Sequence, residues 1–131
     1  MLTLDDARRV MAAAEAKAAE LGCAVTITVL DGGGHVRAQS RMDGARFGTL
    51  SVSANKAFTA ASFGLPSKVL TGLTQPGQPL FGFADAHGGR IVIFAGGVPV
   101  VRDDEVVGAV GISGGSVDQD EEIAEAGAAA I

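Results

Sequence analysis

The fold class is first indicated by the segment Ala24-Val-Thr-Ile-Thr-Val-Leu-Asp-Gly-Gly-Gly-His-Val-Arg-Ala-Gln-Ser-Arg41. Its first part alternates valine and isoleucine with threonine, which is typical of a β-strand that buries one face. The run Asp31–Gly34 then predicts a tight turn. The residues from His35 to Met42 predict a strand that returns beside the first, so the two form a hairpin and the sheet is expected to be antiparallel.

Helices are predicted on both sides of this hairpin. Thr3 followed by Asp6 is typical of a capping box, and apolar residues then recur every three or four positions until Gly22 ends the helix. Residues 47–63 predict a second helix, which the sequence Gly64-Leu65-Pro66 ends. Its apolar side is expected to comprise Phe47, Leu50, Ala54, Ala57, Phe58 and Ala61.

The rest of the chain predicts three more strands. They are expected at 90–95, 98–101 and 106–113, and Pro99 indicates a strand at the edge of the sheet. A short helix is predicted over 67–73. Ser116 followed by Gln119 is a second capping box that begins a C-terminal helix. Short hairpins and flanking helices together indicate an α+β fold with a five-stranded antiparallel sheet.

Composition limits the class of protein. A chain of 131 residues is long enough for one domain, here 1–131, and 47% hydrophobic residues exclude disorder. No apolar run reaches the roughly 18 residues that a membrane helix needs. The acidic start Met1–Asp6 lacks the order of a signal peptide, so a cytoplasmic location is expected.

Charge and cysteine content exclude further classes. Ten basic and 15 acidic residues give a net charge of −5, which argues against nucleic acid and against anionic membranes as partners. The single cysteine, Cys23, excludes an internal disulfide and a zinc site built from cysteines. Phosphate-binding, zinc-protease and serine-hydrolase motifs are absent from the sequence.

Two histidines lie beside glycines, where their side chains are expected to be accessible. Either His35 or His87 could ligate a haem iron or another metal, or act as a general base. The alternative is that each is an ordinary surface histidine.

Arg41, Asp43 and Lys56 are candidate site residues, and the two cations among them suit a small anionic ligand. Arg41 and Asp43 lead directly into a helix start, where an arginine and backbone amides can hold a carboxylate. Lys56 interrupts an apolar helix and could bind a carboxylate or serve as a base, although its ammonium group could instead reach solvent. The pair Gly96-Gly97 is typical of a tight turn.

Five motifs occur together in one order and spacing. They are Arg41-Met-Asp-Gly-Ala45, Asn55-Lys-Ala-Phe-Thr-Ala60, Gly96-Gly-Val-Pro-Val100, Val107-Gly-Ala-Val-Gly-Ile-Ser-Gly114 and Asp118-Gln-Asp-Glu121. Over essentially its whole length the chain resembles the GlcG/HbpS-like family. That family is also called the haem-degrading domain family, and it supplies the C-terminal part of PduO-type cobalamin adenosyltransferases.

The resemblance implies a profilin-like fold and a homo-oligomer, from dimer to octamer. It also implies a pocket that includes Arg41, Asp43, Lys56 and Gly96-Gly97. Some members of the family bind haem, and some are reported to degrade it.

Three functions remain open. The first is a module that binds haem or another tetrapyrrole, with His35 or His87 as the iron ligand and Arg41 or Lys56 near the propionates. The second is a cofactor-independent isomerase, lyase or hydratase for a small carboxylate or carbonyl metabolite, with Arg41, Asp43 and Lys56 as catalytic residues in a pocket between subunits. The third is an accessory subunit whose motifs form the oligomer interface.

Overall fold

A four-stranded antiparallel sheet organises the chain, and the computed structural model describes all of its residues, 1–131. The strands are β1 (Thr26–Asp31), β2 (Val36–Arg41), β3 (Gly97–Arg102) and β4 (Glu105–Ser113), in the order β2-β1-β4-β3. The helices are α1 (Leu4–Leu21), α2 (Gly48–Phe63), α3 (Val69–Leu73), α4 (Ala86–Gly89) and α5 (Val117–Ala128), with a 3₁₀ turn at Phe83–Asp85.

The predicted α+β class, the hairpin and the flanking helices are confirmed, and β3 lies at an edge of the sheet, as Pro99 indicated. The strand predicted over 90–95 is wrong, so the sheet has four strands rather than five. The carbonyl oxygens of Ile93 and Phe94 accept hydrogen bonds from the hydroxyl groups of Thr71 and Ser67. The backbone of this segment is therefore engaged by side chains and does not join the sheet.

The predicted capping boxes are present. Thr3 and Asp6 satisfy each other's backbone amides at the start of α1, and Ser116 and Gln119 do the same at the start of α5. Gly22 ends α1 in the left-handed conformation, with φ of 70°.

Strand β1 is buried on both faces, which corrects the expectation of a single buried face. Helices α1 and α5 cover one face of the sheet, where Val25, Ile27 and Val29 enter the main apolar core. Helix α2 covers the other face, where the hydroxyl of Thr28 lies 2.8 Å from that of Ser53. The threonines therefore serve as buried hydrogen-bonding groups and do not face solvent.

Helix α2 packs directly on the backbone of the sheet. A methyl group added at Gly111 would overlap the carbonyl oxygen of Ser53, and one added at Gly97 would overlap that of Lys56. The buried side of α2 consists of small or polar residues and one lysine, namely Ser53, Lys56, Ala57, Thr59 and Ala60. The apolar side predicted for this helix is therefore wrong in part, because Phe47 is 78% exposed and so lies away from the sheet.

No helix in the structure combines the length and the apolar character needed to span a lipid bilayer.

Candidate functional site

Lys56 lies in the interior, between α2, β4 and α5. Its side chain is 1% exposed, so the alternative in which the ammonium group reaches solvent does not occur. Nζ donates to Oδ2 of Asp120 at 2.9 Å and to the carbonyl oxygen of Ile112 at 2.8 Å. It also lies 5.1 Å from the centre of the Phe94 ring. All of these partners belong to the protein itself.

Burial opposes the charge on both members of this ion pair. It lowers the pKa of Lys56 and raises the pKa of Asp120, while the opposite charge of the partner counteracts each shift. Asp120 gains further stabilisation from the amide of Gly115, which donates to Oδ1 at 2.8 Å. The pair therefore connects α2 to the first turns of α5 across the end of β4.

A second buried carboxylate adjoins the pair. Glu121 accepts a hydrogen bond from the amide of Gly96 at 3.0 Å, while its Oε2 is buried without a hydrogen-bond partner. Burial raises the pKa of Glu121. The nearest cation is Lys68, whose Nζ lies 3.6 Å from Oε2.

Gly96 and Gly97 lie against the buried ion pair. A side chain at Gly96 would come within 2.7 Å of Nζ of Lys56, and Gly96 has φ of 123°. These glycines thus allow the chain to pass close to the lysine. Gly96 and Gly97 therefore have a packing role in addition to the turn that the sequence predicted.

Arg41 and Asp43 are exposed at the end of β2, away from Lys56. The structure contains two cavities, and neither is lined by Arg41, Asp43 or Lys56. The three residues predicted to be catalytic therefore do not share a cavity within one chain.

His87 lies in a cluster of aromatic side chains, which we call the phenylalanine–histidine patch. Its ring packs edge-on against Phe58, at 5.4 Å between centres, and lies 6.2 Å from Phe63. Phe63 contacts Phe83 at 5.3 Å. The guanidinium of Arg90 completes the patch by stacking 3.6 Å above the Phe58 ring.

Backbone geometry exposes the imidazole in this patch. His87 has φ of 53°, in the left-handed region that few residues other than glycine adopt, and Gly88 and Gly89 follow it with positive φ. The patch thus joins exposed α2 residues to a loop that presents a histidine. A cavity of about 100 Å³, lined in part by Phe58 and Ala61, extends from it to the turn at Gly32–Gly34.

His35 lies elsewhere, beside a larger cavity of about 370 Å³. Its Nδ1 is 3.3 Å from Oδ1 of Asp31, and its side chain is 81% exposed. No group of three or more histidine, cysteine or acidic side chains in the structure is arranged to hold a metal ion.

Sequence reasoning missed Asp120, Glu121, Phe58, Phe63 and Arg90 as parts of these sites. The partners of the two acidic residues lie more than 20 positions away in the chain, so no local pattern indicates these contacts. Phe58 was assigned to the apolar side of the helix, and Phe63 was named only as the last residue of that helix. A spacing of five positions does not place two residues on one helix face, so no local signal indicates that they act together.

Comparisons with known proteins give consistent results over the whole chain. A protein-family model described as "Haem degrading protein HbpS-like" matches residues 2–129. An uncharacterized 15.0 kDa protein from the dhaT-dhaS intergenic region of Citrobacter freundii is 42% identical over 124 residues, which cover 95% of this chain and 87% of that protein.

Two solved structures have nearly the same fold. A structure described as a PduOC:Heme complex is 34% identical, has a TM-score of 0.94, and is matched over 99% of this chain and 94% of that one. A double mutant of HbpS from Streptomyces reticuli is 33% identical with a TM-score of 0.88, over 99% of this chain and 86% of that one.

Proposed function

This chain belongs to the HbpS-like family, and we propose that it binds haem or a related tetrapyrrole at the phenylalanine–histidine patch. The observation that carries the proposal is the packing of His87 against Phe58 and Phe63, with Phe83 beside Phe63 and Arg90 above Phe58. The similarity to a haem complex of PduOC supports the choice of ligand.

The patch has the three kinds of group that a haem site requires. An exposed imidazole can serve as an axial ligand of iron, and phenylalanine faces can contact the porphyrin plane. Arg90 forms no ion pair within the chain, so its guanidinium is available for a propionate. When bound, haem would supply a redox-active iron at this surface.

Six phenylalanines are the only aromatic residues of the chain apart from its two histidines. Three of the six meet in this patch, and half-exposed Phe63 contributes 40% of its surface to solvent. The tertiary structure thus brings half of the phenylalanines of the chain together in one patch.

We expect His87, and not His35, to be the iron ligand. His87 packs against two apolar rings, whereas His35 lies against the carboxylate of Asp31 in a cavity with two further charged side chains. An apolar surrounding favours a porphyrin, because most of the porphyrin surface is apolar.

No observation in this structure specifically supports the alternative of a cofactor-independent enzyme. Lys56 already donates to Asp120 and Ile112, and Arg41 and Asp43 line no cavity. The catalytic roles of these residues stay predictions, as do the homo-oligomer, the profilin-like fold and the cytoplasmic location.

A titration with haemin tests the proposal. We expect a saturable shift of the Soret band at about one haem per subunit, and loss of that shift in His87→Ala because the axial ligand is removed. His35→Ala is the matched control and is expected to bind haemin like the wild type. Arg90→Gln should weaken binding without changing the position of the band.

Two results would contradict the proposed haem site. A wild-type shift no larger than that of an unrelated neutral protein would reject haem binding. Binding that is lost in His35→Ala and kept in His87→Ala would reject the patch as the site.

Decay of the Soret band over hours with ascorbate, measured against free haemin, would test whether degradation accompanies binding.

A further inference from the structure

The larger cavity lies at the end of the sheet where β1 turns into β2, on the side of His35. Its volume of about 370 Å³ is within the range of small-molecule sites, roughly 300–1,000 Å³. It is formed by the hairpin turn, the chain start and the first residues of β4. None of the residues of the phenylalanine–histidine patch lines it.

Two β-bulges shape this cavity. Between β1 and β2 the register passes from Val29–Ala38 to Leu30–Val36, so Arg37 has no partner in β1. Between β3 and β4 it passes from Val100–Gly108 to Val101–Val106, so Val107 has no partner in β3.

Both of the extra residues, Arg37 and Val107, line the same cavity. A bulge turns a side chain away from the regular alternation of its strand, and bulges are frequent next to functional sites. Two bulges contribute residues to this one cavity. This arrangement indicates a site formed by the strands and not an accidental gap at the end of the sheet.

Besides the α-amino group of Met1, the lining carries one cationic and one anionic side chain that have no ion-pair partner. Arg37 on β2 and Glu105 on β4 line it, and neither forms an ion pair with any residue of the chain. The other carboxylate, Asp31, is already engaged, because its Oδ1 accepts hydrogen bonds from the amides of Gly33 and His35.

His35 also lines the cavity and adds a hydrogen-bonding group to it. Its Nδ1 faces Asp31 at 3.3 Å, which leaves Nε2 as the free ring nitrogen. The apolar residues of the lining are Met1, Leu2, Val106 and Val107. The cavity therefore combines a cation, an anion and an apolar wall.

We propose that this cavity binds a small zwitterion with a short aliphatic body, of the class of the aliphatic α-amino acids. The carboxylate would pair with Arg37, assisted by His35, and the ammonium group would pair with Glu105. The aliphatic chain would contact Val106 and Val107. This site is separate from the proposed haem patch and does not depend on it.

Calorimetric titration of the purified protein with L-leucine tests the proposal. We expect saturable binding, and at least about a 10-fold weaker affinity in both Arg37→Gln and Glu105→Gln, since each variant removes one charge-assisted hydrogen bond. Arg46→Gln is the matched control, because Arg46 is exposed outside the cavity. Circular dichroism of each variant confirms that the fold is retained.

Two analogues separate the charges of the ligand. 4-Methylpentanoate lacks the ammonium group and isopentylamine lacks the carboxylate, so both should bind at least about 10-fold more weakly than L-leucine. Amide chemical shifts of Gly32 and Gly33 should change on addition of L-leucine, which locates the ligand.

Four results would overturn the proposal. They are no binding of L-leucine at millimolar concentration, equal affinity in Arg37→Gln, equal affinity in Glu105→Gln, and equal binding of 4-methylpentanoate. Competition between haemin and L-leucine would assign the cavity to haem instead. Failure of haem binding alone leaves the expected result for L-leucine unchanged, so the two proposals can fail separately.

Discussion

At the scale of single residues, Lys56 shows how a buried charge is tolerated. Burial costs several kcal/mol for an isolated ion, so a lysine in the interior needs a carboxylate and further hydrogen-bond acceptors. Asp120 and the carbonyl of Ile112 supply them at 2.9 and 2.8 Å. The pair therefore determines how α2, β4 and α5 fit together, and removal of one member leaves the other uncompensated.

We expect Lys56→Met to lower the free energy of unfolding by about 3–5 kcal/mol, because Asp120 would remain buried as an unpaired charge. Urea unfolding followed by circular dichroism measures this change. The double variant Lys56→Met/Asp120→Asn should recover part of the loss, since it removes both charges.

Lys17→Met is the control for this experiment. Lys17 pairs with Glu20 and Glu122 near the surface, at 3.4 and 3.3 Å, so its loss should affect stability far less. A cost for Lys56→Met no larger than that for Lys17→Met would contradict the structural importance of the buried pair.

At the scale of elements, the contact between α2 and the sheet depends on glycine. The helix approaches so closely that Gly97 and Gly111 have space only for hydrogen where another residue has Cβ. Small residues on the facing side of α2, such as Ser53 and Ala57, allow the same approach. Close packing of this kind leaves little room for repacking.

We expect Gly111→Ala to destabilise the protein by about 3 kcal/mol or more, because its methyl group would overlap the Ser53 carbonyl and force α2 away from the sheet. Denaturant unfolding measures the loss. Gly72→Ala in α3 is the matched control, since nothing lies within 4 Å of the added methyl group.

The control should be neutral or slightly stabilising, because alanine favours a helix more than glycine does. If Gly111→Ala unfolds at the same denaturant concentration as Gly72→Ala, the close approach of α2 to the sheet is not required for stability.

At the scale of the whole molecule, the surface between α3 and the segment before β3 carries several exposed apolar side chains. Phe81 is 67% exposed, and Val69, Leu73 and Phe94 are each more than one third exposed. Exposed apolar side chains that lie together are typical of a surface that another molecule covers. The resemblance to an oligomer-forming family supports a second copy of this chain as that molecule.

We therefore expect light scattering after gel filtration to give a multiple of the 13.1 kDa subunit mass. The double variant Val69→Ser/Phe81→Ser should shift the mass towards the monomer, because it removes apolar area from the interface. Val36→Ser, at an exposed position on β2, is the control and should leave the mass unchanged.

A wild-type mass of one subunit would contradict the assembly. Dissociation by Val36→Ser alone would place the interface at the edge of β2 instead.

Local patterns predicted most of the elements. The hairpin, both capping boxes and the glycine ends of α1 and α2 were confirmed, because each depends on interactions within a few positions of the chain. The strand over 90–95 was wrong, because the hydroxyl groups of Thr71 and Ser67 engage its backbone and it does not join the sheet. The apolar side of α2 was wrong in part, because Phe47 is exposed while Ala57 is buried.

Spacing along the chain encodes the α+β class, the antiparallel hairpin, the helix boundaries and the family resemblance, so all of these follow from the amino-acid sequence. Packing of the elements, in contrast, pairs Lys56 with Asp120, brings His87 to Phe58 and Phe63, and places two bulges at one cavity beside His35. These contacts join residues 24 to 64 positions apart, except where a bulge shifts a register. Such contacts form only when the elements pack, and no local pattern specifies them.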